Sequence, residues 1–179
     1  MQAGRQMILG VSGSIAAYKS AELCRLLVQD AWDVHVIMTR AATEFVGEAT
    51  FRTLSRNPVA VEMFGERSDW SPAHIEWADS ATLLLIAPCT ANVIAKLANG
   101  LADDMLTSTA LASKARLVIA PAMNGKMWEH PATVANVLTL KERGAVFVDM
   151  GAGELACGYE GLGKMAEPES ILQRVKELG

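Results

Sequence analysis

The sequence predicts an α/β fold, a three-layer αβα sandwich built on a doubly wound parallel sheet. Apolar runs of strand length alternate with helix-like stretches along the chain. Those runs are continuously apolar rather than alternating, so both faces of the sheet are covered. Right-handed crossovers between parallel strands then place helices on both sides. No repeat, linker or low-complexity tract interrupts the pattern, and residues 1–179 read as one domain.

The elements follow in order. QMILGVS (6–12) is a buried strand, and SIAAYKSAELCRLLVQD (14–30) is a helix with apolar residues at helical spacing. WDVHVIMT (32–39) is a second strand, followed by a short helix around AATEFVG. PVAVEMF (58–64) is a weaker strand and ERSDWSPAH (66–74) a polar loop. ATLLLIAP (81–88) is the strongest buried strand, running into the helix TANVIAKLANG, with another helix over 103–113. ARLVIAP then forms a strand, and PATVANVLTLKERG (131–144) a helix with Pro near its start and Gly at its end. AVFVDM (145–150) is the last strand, before a Gly-rich segment (151–165) and a closing helix from Pro168.

Composition narrows the function. The formal charge is −4 and the basic residues are scattered, which argues against nucleic-acid binding. No window approaches the ~18 uninterrupted apolar residues of a membrane span. The start, MQAGRQMILG, lacks a signal peptide's apolar region and cleavage site, so a cytoplasmic location is expected. Cys24, Cys89 and Cys157 are far apart, with neither a disulfide framework nor zinc spacing. No metal site is expected.

In doubly wound folds ligands sit beyond the carboxyl ends of the strands. That selects Val11–Ser14, Thr39–Phe45, Pro88–Val93 and Pro121–Trp128. GVSGSIAAYK places Gly10, Gly13, Ser12 and Ser14 at a strand-to-helix turn, where backbone N–H groups, hydroxyls and a helix N-terminus can receive a phosphate. A tight turn with a Ser cap explains the same residues. There is no GxGxxG, strand two ends in Thr39–Arg40 rather than an acidic residue, and there is no GxxxxGK[ST]. A small phosphorylated ligand such as FMN fits better than a dinucleotide or a nucleoside triphosphate. PCTANV (88–93) adds a hydroxyl and an amide at another helix start, although Thr90 and Asn92 could equally be caps.

At the reactive end, His74 follows the polar loop, while His35 and His130 read as packing or surface residues. Asn124, in PAMNGKMW, is a neutral amide among Met and Trp side chains. Such an amide binds a carboxylate without holding the ground state as firmly as an Arg would, which suits a carboxylate that must leave as CO₂. Cys157 lies among glycines and reads as a thiol on a closing loop.

These residues resemble the homo-oligomeric flavin-containing cysteine decarboxylases over nearly the whole chain. GVSGSIAAYK resembles the family's FMN-phosphate loop, His74 in AHIE its active-site histidine, and PCTAN its second flavin loop. PAMNGKMW satisfies the family's P-x-M-N-x-x-M-W signature, and ACGYEGLGKM resembles the substrate clamp of the branch acting on phosphopantothenoylcysteine. The resemblance implies a Rossmann/flavodoxin-like fold and FMN as cofactor. It implies FMN contacts from Gly13, Ser14, Ile15, Thr39, Phe45, Thr90, Ala91, Asn92 and Ala122, and substrate contacts from Met123, Asn124, Ala156 and Gly158.

It also implies that the substrate is oxidised to a thioaldehyde with help from His74 and loses a carboxylate held by Asn124. The resulting ene-thiol is protonated by Cys157 and reduced to 4′-phosphopantetheine, in coenzyme A biosynthesis. How Arg40, Lys164 and Arg116 divide contacts to the substrate's phosphate is left open by the sequence. A homotrimer or dodecamer and a link to a phosphopantothenoylcysteine synthetase are further implications. The alternatives are a peptidyl-cysteine decarboxylase of the lantibiotic type and a non-enzymatic flavin-binding electron carrier.

Overall fold

The computed structural model describes residues 5–63, 73–154 and 160–178. The chain runs β1 (Gln6–Val11), α1 (Ala17–Gln29), β2 (Asp33–Met38), α2 (Arg40–Thr43), α3 (Glu48–Ser55), β3 (Val59–Ala60) and α4 (Ala73–Ser80). It continues through β4 (Leu83–Cys89), α5 (Ala91–Asn99), α6 (Met105–Ala112), β5 (Arg116–Pro121), α7 (Gly125–Trp128) and α8 (Pro131–Glu142). β6 (Val146–Phe147), β7 (Gly151–Glu154), β8 (Glu160–Lys164) and α9 (Pro168–Leu178) complete it.

Six strands form one parallel sheet in the order β3-β2-β1-β4-β5-β6. The chain winds outward from β1 to β3, then crosses back to lay β4 on the other side of β1. The switch point therefore lies between β1 and β4, where a crevice opens at the strand ends.

Continuous apolarity in the strands has the expected cause. Met7, Leu9 and Val11 pack on one face with Leu23 and Leu27 of α1, Phe51 of α3, and Ile171 and Val175 of α9. Ile8, Ile37, Leu84, Ile86 and Ile119 pack on the other with residues of α4, α5, α6 and α8, among them Trp77, Ile94, Leu106 and Leu140. Every second strand residue feeds a different core, so no strand position can be polar without cost. Among the described residues no helix is long and apolar enough to cross a membrane.

Five stretches differ from the sequence reading. Residues 58–64 and 145–150 shrink to the two-residue edge strands β3 and β6, each with a single partner. α3 was not legible, because only Phe51 and Ser55 of its eight residues are buried. His74 stands in the first turn of α4 rather than in a loop. The Gly-rich segment forms the antiparallel hairpin β7–β8, in which Gly153 (φ 139°) and Gly163 (φ 147°) adopt backbone angles that favour glycine. Main-chain pairing without side-chain alternation leaves little strand signal.

Phe51 is fully buried between α3, α1 and the sheet. Phe51→Ala is expected to cost about 3–5 kcal/mol of stability, read as a lowered urea midpoint at unchanged slope.

Candidate functional site

A cavity of about 750 Å³ opens at the switch point. Its walls are Ser12–Ser14 after β1, Thr39–Ala41 after β2, Thr90–Val93 after β4, and Met123 and Met127 after β5. A second cavity, of about 570 Å³, is lined by Lys114, Arg116, Arg143 and Gly144. It lies at the amino ends of β4 and β5, away from the loops at the carboxyl ends of the strands, and the first cavity is the candidate site.

Backbone and hydroxyl bonds stitch the loops together. The Ser12 hydroxyl donates to Pro88 O at 2.7 Å and accepts from Thr90 N–H at 3.0 Å. Ser12 is therefore committed to the protein and is not the phosphate donor expected of it. Ala122 N–H reaches Cys89 O at 3.0 Å, joining the end of β5 to that of β4. Gly13 lies so close to the start of α2 that a Cβ there would meet Ala41 Cβ at 2.5 Å and its backbone carbon at 3.0 Å. Only glycine lets these two loops touch.

Thr90 caps α5, its Oγ1 accepting from Val93 N–H at 3.4 Å. Asn124 caps α7, its Oδ1 accepting from Lys126 N–H at 2.9 Å. Both serve as caps while standing at the site. Thr39 differs: its Oγ1 is buried yet has no hydrogen-bond partner among the described residues. A buried unpaired hydroxyl costs roughly 1–3 kcal/mol. Because Thr39 lines the cavity, its hydroxyl is a candidate ligand donor.

Of the expected site residues, Gly13, Ser14, Thr39, Thr90, Ala91, Asn92 and Met123 line the cavity. Ile15 and Phe45 are exposed beside it, and Ala122 is buried behind it. Asn124 directly follows Met123 of the wall and is not itself a lining residue. His74 contributes its backbone to α4 and its side chain is not described; Ala156, Cys157 and Gly158 lie outside the described residues. Arg116 stands at the amino end of β5, away from the lining of this cavity, where its Nη1 donates to Leu178 O at 2.8 Å.

Arg40 does line the cavity, paired with Glu62 at 2.7 Å. Lys164 lies along the hairpin, its Nζ 3.1 Å from where a Gly153 Cβ would be.

Sequence reasoning missed the charged wall. Lys96 of α5 bridges Asp103 (2.7 Å) and Asp104 (2.9 Å), and all three line the cavity. Asp104 also caps α6 by accepting from Thr107 N–H and its hydroxyl, each at 2.8 Å. Burial works to raise its pKa, but these bonds and Lys96 outweigh it and hold the carboxyl below its ordinary range. The capping pair was readable at three-residue spacing; the reach of Lys96 across the α5–α6 turn was not.

With the site in view, comparison with known proteins is decisive. The pattern of the family described as Flavoprotein matches residues 1–178. The chain belongs to the flavoprotein family. It is 49% identical over 169 residues to a coenzyme A biosynthesis bifunctional protein, CoaBC, of Bacillus subtilis (strain 168), covering 94% of this chain but 42% of the relative. The chain thus spans less than half the length of the curated relatives it matches. Among solved structures it resembles a cysteine-to-serine mutant of PPC decarboxylase complexed with pantothenoylaminoethenethiol, with TM-score 0.86, 31% identity and 98% of both chains covered. It also resembles the FMN binding protein AtHal3, with TM-score 0.82, 32% identity, and 98% and 96% of the two chains covered.

This flavoprotein's described thiols, Cys24 and Cys89, are buried. Burial pushes Cys24 up to about 12 and raises Cys89 as well, and neither has a disulfide partner. Ellman's reagent is expected to release at most one thiolate per folded chain, from Cys157, and three after denaturation. Cys157→Ser should bring the folded value to zero.

Proposed function

We propose that the chain is an FMN-dependent decarboxylase that converts 4′-phosphopantothenoylcysteine to 4′-phosphopantetheine, a carbon–carbon lyase of coenzyme A biosynthesis. The observation that carries this reading is the convergence, in one switch-point cavity, of a phosphate-type turn, a second donor loop, and Met123 and Met127 on either side of Asn124 in sequence. The similarity to CoaBC proteins and to PPC decarboxylase supports it.

The residues present fit FMN. The orphaned Thr39 hydroxyl asks for a ligand oxygen, Gly13 keeps the turn bare, and the N-terminus of α5 with Asn92 offers further donors. FMN, when bound, supplies a two-electron acceptor that is regenerated within each turnover.

The chain's own residues do the rest. Asn124, whose Oδ1 accepts from Lys126 N–H at 2.9 Å, is the neutral group assigned to the substrate carboxylate. Being neutral, it orients that group without over-stabilising it, beside the apolar side chains of Met123 and Met127 on the cavity wall. His74 assists the proton shifts of substrate oxidation, and Cys157 protonates the ene-thiol left after CO₂ departs. Arg40 at the cavity and Lys164 on the hairpin remain the cations for the substrate's phosphate. A phosphopantothenoylcysteine synthetase would supply the substrate, in keeping with the bifunctional relatives. A homotrimer or dodecamer is the assembly this reading carries.

Supplied with the free phosphorylated substrate, the purified chain should release CO₂ and 4′-phosphopantetheine; turnover only of a peptide ending in cysteine would replace this reading with a peptidyl-cysteine decarboxylase. His74→Asn is expected to stay yellow and lose turnover by at least about a hundredfold, as general acid–base groups do. A colourless variant would make His74 a structural residue.

Thr39→Val separates ligand binding from folding. The apo form should be as stable as wild type or up to about 1 kcal/mol more so, since an unpaired buried hydroxyl is removed. FMN should bind about tenfold more weakly, as titrated by flavin fluorescence. Loss of stability with unchanged affinity would mean the hydroxyl serves the fold.

A further inference from the structure

The hairpin and the Asn124 stretch touch through main chain alone. Met123 N–H donates to Gly163 O at 3.1 Å. Two residues on, a Cβ on Gly125 would lie 2.8 Å from Leu162 O, so the bare Cα of Gly125 rests against β8. Consecutive carbonyls of one strand thus seat the residues on either side of Asn124. β8 itself is rooted: Met165 and Ala166 are buried in the α1 core, and Glu167 pairs with Lys19 of α1 at 2.6 Å. The stretch has a second tether in the bond from Ala122 N–H to Cys89 O. Asn124 is held from below by β4 and from the side by the hairpin.

We infer that Gly125 is a positioning residue: by admitting the Leu162 carbonyl, it lets β8 brace Asn124 in the orientation that receives a carboxylate. This deepens the reading above and rests on the role that reading gives Asn124. Gly125 is not among the glycines at positive φ, and it opens α7, so its own backbone would accept alanine. The constraint is the space taken by a neighbouring carbonyl. A Cβ at 2.8 Å meets backbone, which no rotamer change can move, so β8 must shift by several tenths of an ångström and carry the Met123 bond with it. Errors of about 1 Å in a positioning group can cost on the order of a hundredfold in reaction.

The test uses the FMN-loaded chain and two unreactive ligands that differ only in the carboxylate. One is 4′-phosphopantothenoylserine, with a hydroxyl for the thiol; the other is the matching ethanolamine amide, which lacks the acid group. Wild type, Asn124→Ala, Gly125→Ala and Gly125→Ser are compared by perturbation of the flavin spectrum, and exchange of the Met123 amide is followed in each.

In Gly125→Ala the Met123 amide should exchange at least about tenfold faster than in wild type. The serine ligand should bind about tenfold more weakly, as when one hydrogen bond to a charged group is lost, and the ethanolamine amide within about twofold of wild type. Gly125→Ser adds the same Cβ on a residue at home near a helix start, and decides the matter if the alanine variant does not fold.

Unchanged amide exchange overturns the seat. Faster exchange with both ligands weakened alike, or with neither weakened, overturns the bracing of Asn124. If wild type and Asn124→Ala bind the two ligands alike, it is the carboxylate-holding role of Asn124 that fails, and with it the bracing, while amide exchange still judges the seat.

Discussion

The site depends on one buried hydroxyl. Ser12 sits at the end of β1, beside the switch point, and its oxygen both donates to Pro88 and accepts from Thr90. Beyond the ladder the ends of β1 and β4 are also joined by the Ser12 N–H, which donates to Pro88 O at 3.2 Å. Buried, with both bonds made, the hydroxyl sets how far the two loops stand apart. The remaining walls are placed relative to that pair: Thr39 N–H bonds Val11 O, and Ala122 N–H bonds Cys89 O.

Such a frame explains why several candidate residues act twice. Thr90 and Asn124 each cap a helix and stand at the site. Capping fixes a side chain in one rotamer on a rigid element, which is also what a ligand-binding group requires. Thr39 is the exception, since its backbone is bonded while its hydroxyl is buried without a partner among the described residues. The fold tolerates that cost at a cavity wall, where a ligand can repay it, and the family's flavin is the ligand the donors suit.

Charge is arranged with similar economy. Glu62 partners Arg40, and Lys96 is held between Asp103 and Asp104, so the cavity's charged groups arrive already paired. The donors at the β1 and β4 turns are backbone and neutral side chains. An anion entering there meets dipoles rather than strong fixed charge, and its own charge remains able to redistribute.

From sequence alone, the parallel sheet and its two covered faces were determined, because residues such as Met7 and Ile8 must each enter a different core and the apolar runs record this directly. The strand-end loops were legible for the same reason, and the short motifs in them pointed to a flavin and a cysteine-derived acid. Tertiary structure alone decided what each loop residue spends its bonds on. It withdrew Ser12 from the phosphate and Arg116 from the substrate, brought Lys96 to the cavity wall, and laid β8 against Gly125. Those outcomes turn on contacts between residues far apart in the chain, made through backbone atoms or long side chains that leave no periodic trace in the order of amino acids.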